Sequence, residues 1–136
     1  MVANPVGEVI DPHSGRLYGA PGRTPVNADA YRDLPHAAAK LNTTIGAVLT
    51  DAPVTTAQAQ RLAMTAHDGI ARAVRPAHSP LDGDTIFALS TAQEPAEVDK
   101  IQLCAAAADV VEEAIVTAVT AARPGLGLRA YRDLLG

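Results

Sequence analysis

The sequence predicts an α+β fold in which helices lie over a sheet, and three observations lead to this prediction. Two short apolar runs of β-type composition, residues 44–50 and 85–90, are each followed by a longer stretch with helical spacing. The order strand, helix, strand, helix is typical of helices packed on a sheet. Of the 136 residues, 48% are hydrophobic and 19% are charged, which supplies the core of one domain rather than a disordered chain.

The N-terminal region predicts a hairpin followed by irregular chain. Residues 6–10 have the composition of a short strand, and 17–18 are the candidate return strand. Between them, 11–15 (DPHSG) has turn chemistry, because proline fixes φ and glycine accepts positive φ. Residues 19–32 are rich in Gly, Pro, Asn and Asp, which indicates a loop. Residues 33–41 contain an alanine run and predict a short, weak helix.

The run 44–50 (TIGAVLT) predicts the first central strand, which stops before Pro53 because proline cannot continue an inner ladder. A helix should follow, with Thr55 or Thr56 as its cap and Pro76 as its end. Spacing of 3.6 residues predicts that one face of this helix is buried. That face consists of Ala59, Leu62, Ala63, Ala66, Ile70 and Ala73.

Residues 85–90 (TIFALS) predict the second strand. Pro95 stands where a first helical residue is expected, so a long helix should run from Pro95 to about Arg123. Residues 128–135 predict a last turn or two. With so few strands, sheet edges stay unpaired, and we expect this chain to be part of a larger sheet. The apolar stripe expected along the long helix is Ile101, Cys104, Ala105, Ala108, Val111, Ile115, Ala118, Val119 and Ala122.

Charge and composition exclude several classes of function. The chain has 11 Lys and Arg against 15 Asp and Glu, a net charge of −4, and only three Tyr, one Phe and no Trp. Nucleic-acid binding needs basic and aromatic side chains, so we expect no nucleic-acid partner. The longest apolar stretch, 114–122, is far shorter than the ~20 residues that span a bilayer. Residues 1–11 show no secretory signal, and we expect no membrane partner and a cytoplasmic location.

A polar triplet, Asn42-Thr43-Thr44, stands directly before the first central strand. A threonine hydroxyl becomes a good nucleophile when a base activates it, and one such base is the residue's own α-amine, with an ordinary pKa of about 8. That amine exists only after the chain is cut before Thr43. The cut would be an attack of the Thr43 hydroxyl on the Asn42 carbonyl, followed by hydrolysis of the ester. A plain turn before a strand is the simpler interpretation of the triplet taken alone.

Two carboxylates, Asp82 and Asp84, precede the second strand with Gly83 between them. If Gly83 permits a sharp bend, both can converge on one point and hold an α-ammonium group, tune its pKa or bind a metal. A solvated Asp-Gly turn is the simpler interpretation. A calcium loop is excluded because the apolar residues Ile86 and Phe87 stand where oxygen ligands are needed.

The histidine and glycine patterns do not indicate a metal site, a catalytic histidine or a phosphate-binding loop. The four histidines lack the close spacing of metal ligands, so packing or capping explains them better than zinc binding or a nucleophile–histidine pair. The early glycines match no phosphate-binding loop. The histidines are His13, His36, His67 and His78, and the glycines are Gly7, Gly15, Gly19 and Gly22.

Taken together, several longer segments resemble one known family. They are 2–12 (VANPVGEVIDP), 42–52 (NTTIGAVLTDA), 66–73 (AHDGIARA) and 80–87 (PLDGDTIF). In this order they are similar to the self-cleaving aminopeptidases that include the L-aminopeptidase/D-esterase, β-peptidyl aminopeptidases and nylon-oligomer hydrolases. The resemblance covers nearly the whole chain, and it is weakest at residues 16–40 and after residue 122.

The resemblance implies part of an αββα sandwich like that of N-terminal-nucleophile hydrolases, in a precursor that cuts itself into a larger and a smaller subunit. The cut is expected between Asn42 and Thr43, in an Asn-Thr junction similar to that of the nylon-oligomer branch. Within a single partial domain, 1–42 would then end the larger-subunit segment and 43–136 would form the smaller one.

The resemblance also implies roles for individual residues. By position, Thr43 is the nucleophile and its freed amine is the base. Asp82 and Asp84 match the acidic or polar pair that supports the orientation and protonation of the nucleophile. His67 and His78 match family positions to which we assign no catalytic role. The implied substrate is a peptide or linear amide, and no metal or organic cofactor is needed.

Family members carry a long additional segment before the match to Val2, which supplies much of the sheet, the pocket and the tyrosine and asparagine groups that stabilise the oxyanion. Tyr18 and Asn27 do not match those positions. Because each lost oxyanion donor costs ~3–4 kcal/mol, we expect the Asn42–Thr43 bond to stay intact in this chain alone. The expected partners are therefore the missing N-terminal segment or a partner chain, and relatives commonly form homo-oligomers of processed pairs.

Two alternatives remain open. One is an autoprocessed transferase like ornithine acetyltransferase, which uses the same threonine but passes the acyl group to an amine instead of water. The other is a truncated, inactive fragment, or a subunit that needs a separately made partner. Unpaired strand edges and alanine-striped helices favour the second alternative.

Overall fold

The structure of the chain is a computed structural model, which describes residues 1–35, 42–94 and 96–136. The expected mixture of helices and strands is confirmed. The elements in chain order are α1 (Ala28–Arg32), β1 (Ile45–Thr50), α2 (Thr56–Ala73), β2 (Thr85–Ser90), α3 (Lys100–Ala121) and a C-terminal 3₁₀ helix (Tyr131–Leu134).

β1 and β2 pair in parallel, with Ile45 opposite Thr85 and Thr50 opposite Ser90. A parallel pair needs a crossover connection, and α2 supplies it. Side chains alternate between the two faces, so that Val48 and Ile86 are buried under the helices. The other face is apolar and exposed to solvent, and we call it the open sheet face. Its residues are Ile45, Ala47, Leu49, Phe87 and Leu89.

α2 begins and ends where the sequence predicts. Thr55 and Gln58 form a reciprocal capping box, because each side chain accepts a hydrogen bond from the other residue's backbone N–H. The helix ends at Ala73, before Pro76. Ala59 and Ala63 are half-buried, and Gly69 joins the expected buried face. The fully buried residues of α2 are Leu62, Ala66, Gly69, Ile70 and Ala73.

α3 differs from its prediction at both ends. It begins at Lys100 because the Asp99 carboxylate accepts the N–H groups of the first turn, at 3.1 and 3.0 Å. Residues 96–99 are not helical, and Pro95 lies outside the described residues. The helix ends at Ala121 instead of Arg123.

The expected stripe of α3 is buried only in the middle of the helix. Ala108, Val111 and Ile115 are buried as predicted, together with Ala107 and Val116. The ends of α3 extend beyond the partners that cover its centre, so their apolar residues face solvent. The stripe residues found exposed are Ile101, Ala105, Ala118 and Ala122.

The N-terminal region has less regular structure than predicted. Residues 6–10 form two isolated bridges, Glu8 with Arg75 and Ile10 with Leu17, instead of a strand. The bridge at Leu17 confirms the predicted return, and Gly15 in the turn has the expected positive φ of 69°. The segment expected to be a loop contains α1, which Asn27 caps.

The weak helix expected at 33–41 is wrong at residues 33–35, which are not helical, and residues 36–41 lie outside the described ones. A second small core joins the two ends of the chain. It consists of Ile10, Leu17, Val26, Val116, Tyr131 and Leu134. Within the described parts of the chain, no helix is long and apolar enough to cross a membrane.

Candidate active site at the start of the parallel strands

The predicted site residues meet at the N-terminal edge of the parallel pair. The strand ladder continues backward beyond both strands, so that Asn42 forms a parallel bridge with Asp82. In this extension Thr85 N–H donates to the Thr44 carbonyl at 2.9 Å, and Gly83 N–H donates to the Asn42 carbonyl at 2.8 Å. The two motifs that lie 40 residues apart in sequence are therefore adjacent in space.

The Asn42 carbonyl oxygen accepts two hydrogen bonds. The Thr43 hydroxyl donates to it at 2.7 Å, and Gly83 N–H donates at 2.8 Å. A β-carbon added at Gly83 would lie 2.9 Å from Thr43 Oγ1, so the absence of a side chain at Gly83 makes room for the hydroxyl. The Thr43 hydroxyl thus lies beside the carbonyl that it would attack. The Gly83 N–H already polarises the oxygen of that carbonyl.

Asp82 and Asp84 bind different sets of groups. Asp82 Oδ1 accepts the Val6 N–H at 2.9 Å, and its Oδ2 accepts the Ser79 N–H at 3.0 Å. Burial raises the pKa of Asp82, but the hydrogen bonds from Ser79 and Val6 outweigh burial, and the pKa lies below its ordinary value. Asp82 is therefore ionised at neutral pH and ties the N-terminal segment to the loop before β2.

Asp84 contacts the residue that follows Thr43, the candidate nucleophile. Its Oδ1 accepts the Thr44 N–H at 2.9 Å, and its Oδ2 lies 2.8 Å from His78 Nδ1. Its side chain is only 4% exposed, whereas that of His78 is 40% exposed. Neither Asp82 nor Asp84 has a hydrogen bond to the Thr43 hydroxyl in this state.

The segment 2–6 contacts both sides of the Asn42–Thr43 peptide, a role that the sequence motifs do not indicate. Asn4 carbonyl accepts the Thr43 N–H at 2.9 Å, and Pro5 carbonyl accepts the Asn42 side-chain amide at 2.7 Å. Backbone acceptors carry no residue signature, so the one available signal was that these residues belong to the first resemblance segment.

Thr44 supplies an unusual buried polar group. The residue is 0% exposed, and its hydroxyl oxygen has no hydrogen-bond partner within the described residues. A buried, unpaired hydroxyl is uncommon and costs free energy, because water no longer satisfies it. Its position next to Thr43 places this cost at the candidate nucleophile.

Two of the histidines lie near the site. The rings of His67 on α2 and His78 are 5.0 Å apart between centroids, in a tilted arrangement. Burial, and then the neighbouring His78, lower the pKa of His67. No group of three or more His, Cys, Asp and Glu side chains suited to a metal ion occurs within residues 1–35, 42–94 and 96–136.

Comparison with known proteins identifies the class to which this fold and site belong. Residues 2–131, which include α1, α2, α3, both strands and the whole candidate site, match the model of a peptidase family. The chain belongs to that family, peptidase family S58.

Individual relatives agree with this assignment. An uncharacterized aminopeptidase of Mycobacterium bovis is 40% identical over 98% of this chain and 46% of its own length. An uncharacterized aminopeptidase of Mycobacterium leprae is 37% identical over 96% of this chain and 42% of its own length. A 6-aminohexanoate-oligomer endohydrolase of a Kocuria species is 32% identical over 67% of this chain and 28% of its own length. The resemblance read from the motifs is confirmed, and the chain spans about half the length of the curated relatives it matches.

Proposed function

We propose that this chain carries the nucleophile of a peptidase or linear-amide hydrolase, and that the nucleophile is released by self-cleavage between Asn42 and Thr43. The family supports amide-bond chemistry, and relatives are named as aminopeptidases and as an oligomer hydrolase. One observation carries the cleavage site: Thr43 Oγ1 lies 2.7 Å from the Asn42 carbonyl oxygen, which also accepts the Gly83 N–H.

The first reaction is an N-to-O acyl shift within the chain. Thr43 Oγ attacks the Asn42 carbonyl carbon, its proton passes to the Thr43 nitrogen, and the peptide C–N bond breaks to leave an ester. Water then hydrolyses the ester, which releases the Asn42 carboxylate and restores the Thr43 hydroxyl with a free α-amine beside it. Negative charge develops on the Asn42 oxygen in both steps, and Gly83 N–H is a preorganised donor for it.

The same groups serve substrate hydrolysis. The freed α-amine accepts the hydroxyl proton as Thr43 attacks a substrate amide, and water releases the acid product from the acyl-enzyme. Asn4 carbonyl, which accepts the Thr43 N–H at 2.9 Å, orients that amine. Asp84 fixes the next peptide through the Thr44 N–H, and Asp82 anchors the segment that carries Asn4.

The exposed apolar residues of the open sheet face support the proposal that a further layer of protein covers this face. Its residues are largely exposed, with Leu49 at 70% and Phe87 at 57%. The mycobacterial relatives are about twice as long as the aligned region. We propose that a segment or partner chain outside these 136 residues covers this face and supplies further oxyanion donors and the substrate pocket.

The test is to produce the protein from its gene together with the upstream DNA and to measure intact mass and the N-terminal sequences. We expect a fragment that begins at Thr43. Thr43→Ala should remain uncut and should not hydrolyse aminoacyl anilides or linear amide oligomers, whereas Thr43→Ser should retain part of both activities.

Thr65→Ala is the matched control, because Thr65 lies on α2 and its hydroxyl bonds only to helix carbonyls. It should be cut and active like the parent protein. Amide hydrolysis by Thr43→Ala would contradict the assignment of the nucleophile.

A further inference from the structure

The contact between His78 and Asp84 has no part in the chemistry described so far. Asp84 is almost completely buried, and both of its oxygens are occupied, one by the Thr44 N–H and the other by His78 Nδ1 at 2.8 Å. A buried carboxylate needs donors, because the loss of hydration is otherwise uncompensated. Among the described residues, His78 is the one side chain that supplies a hydrogen bond to it.

The backbone of His78 has an uncommon conformation, and its ring contacts Asp84. Its φ is 55°, in the left-handed region that few residues other than glycine adopt, although His and Asn are enriched there. The other side of the ring lies against His67 of α2, with 5.0 Å between ring centroids. The imidazole is therefore located between a buried carboxylate and a helix.

The position of Asp84 affects Thr43 through the peptide that joins Thr43 to Thr44. Asp84 holds the N–H of Thr44, and that N–H belongs to the peptide plane that begins at the Thr43 carbonyl. Holding this plane restricts the ψ rotation of Thr43 and so helps to set the position of its side chain relative to the Asn42 carbonyl. Displacements of about 1 Å in reacting groups can cost ~100-fold in rate.

We propose that His78 is a positioning residue that holds Asp84 on the Thr44 amide and thereby sets the orientation of Thr43. The proposal rests on the proposed function for its effect on the reaction, but the contact itself can be measured without any activity. Because a carboxylate can only accept, the His78 ring donates to Asp84 through Nδ1–H.

The first experiment measures amide hydrogen exchange by NMR in the parent protein and in two variants. His78→Gly removes the ring and accepts the same φ, whereas His78→Asn keeps a donor at the position of Nδ1 and also tolerates this φ. The readout is exchange at Thr44 relative to Thr85, whose N–H bonds to the Thr44 carbonyl and reports loss of overall stability.

We expect the Thr44-to-Thr85 exchange ratio to rise about tenfold or more in His78→Gly and to return close to the parent value in His78→Asn. His13→Ala, at an exposed turn, is the control and should leave the ratio unchanged. An unchanged ratio in His78→Gly would overturn the proposal, whatever the protein catalyses.

The second experiment measures the rate at which the Thr43 fragment appears. The rate should fall about tenfold or more in His78→Gly, because Asp84 is then no longer held on the Thr44 N–H, and it should return close to the parent value in His78→Asn.

The two proposals fail separately. A parent protein that is cut, together with an unchanged rate of cutting in His78→Gly, contradicts the positioning role and leaves the nucleophile in place. A parent protein that is never cut, in any form of the gene product, contradicts the proposed function, and the exchange ratio still decides whether His78 holds Asp84.

Discussion

Gly83 controls how closely the Thr43 hydroxyl approaches the Asn42 carbonyl. Its N–H donates to that carbonyl, and the space left by its missing side chain admits the Thr43 hydroxyl. The same residue thus supplies a donor to the reacting oxygen and room for the attacking group. A β-carbon at this position would have to displace Thr43 Oγ1, which is the nearest atom at 2.9 Å.

We predict that Gly83→Ala slows self-cleavage about tenfold or more while changing stability little, because Thr43 can rotate away and lose its contact with Asn42. Fragment formation followed by mass spectrometry, beside a thermal unfolding curve, checks both parts. Gly22→Ala is the matched control, since nothing lies within 4 Å of its added carbon. Equal cleavage rates in Gly83→Ala and Gly22→Ala would contradict the prediction.

Sequence patterns could identify the side chains of the candidate site but not their contacts. Asn42, Thr43, Asp82 and Asp84 were found because both motifs directly precede strands, and parallel pairing brings such positions to one edge. The backbone acceptors could not be found, since every residue carries a carbonyl. Asp82 and Val6 lie 76 residues apart, and no local pattern predicts a contact over that separation.

α2 and α3 pack against each other unusually closely at Gly69. A β-carbon at Gly69 would lie 2.2 Å from the Ala108 carbonyl oxygen and 2.8 Å from the Glu112 nitrogen. Both atoms belong to the backbone of α3, so they cannot move aside as a side chain can. The helix pair, which covers the sheet and completes the main core, depends on this close approach.

Gly69→Ala should destabilise the protein by ~1–3 kcal/mol, because overpacking against a backbone outweighs the gain in helix propensity of about 1 kcal/mol. Urea unfolding measures the change. Gln60→Ala, at an exposed position of the same helix, is the control and should stay within ~0.5 kcal/mol of the parent. Stabilisation by Gly69→Ala would show that the helices can separate at no cost.

The observed ends of the helices and strands show which sequence signals determine where each one begins. The hydroxyl residues before a clear apolar stripe predict Thr55 or Thr56 as the cap of α2, and in the structure Thr55 is the cap and forms a capping box with Gln58. For α3, the proline signal at residue 95 competed with the cap at Asp99, and the carboxylate cap determines the start. The strand predicted at residues 6–10 does not form. Glu8 pairs with Arg75 and Ile10 pairs with Leu17, so the segment makes single bridges to two separate parts of the chain.

At the scale of the whole molecule, the two faces of the sheet are in contrasting environments. One face is covered by α2 and α3, and the open sheet face exposes Ile45, Leu49, Phe87 and Leu89 as a continuous apolar surface. Soluble monomeric proteins rarely expose apolar patches above a few hundred Å². The small number of strands predicts that the sheet is incomplete. It does not indicate which face of the sheet is exposed.

This chain alone should therefore bind a hydrophobic dye or self-associate in size-exclusion chromatography. Leu49→Thr and Phe87→Thr together should reduce dye binding without loss of thermal stability, because both side chains are exposed and threonine suits a strand. Leu126→Asn is the control, since Leu126 is fully exposed outside the sheet and has a φ of 54° that asparagine tolerates. A compact monomer that binds no dye would contradict a missing layer.

The hydrogen bonds of segment 2–6 have a consequence for the protein after the proposed cut. The Asn4 carbonyl accepts the Thr43 N–H, and the Val6 N–H donates to Asp82, so these bonds join the 1–42 piece to the 43–136 piece without a covalent link. Folding then becomes a second-order process governed by mass action. The unfolding midpoint of the processed protein should fall on dilution, whereas that of uncut Thr43→Ala should not. Processing would thus turn a chain that refolds by itself into a pair whose pieces must first meet again.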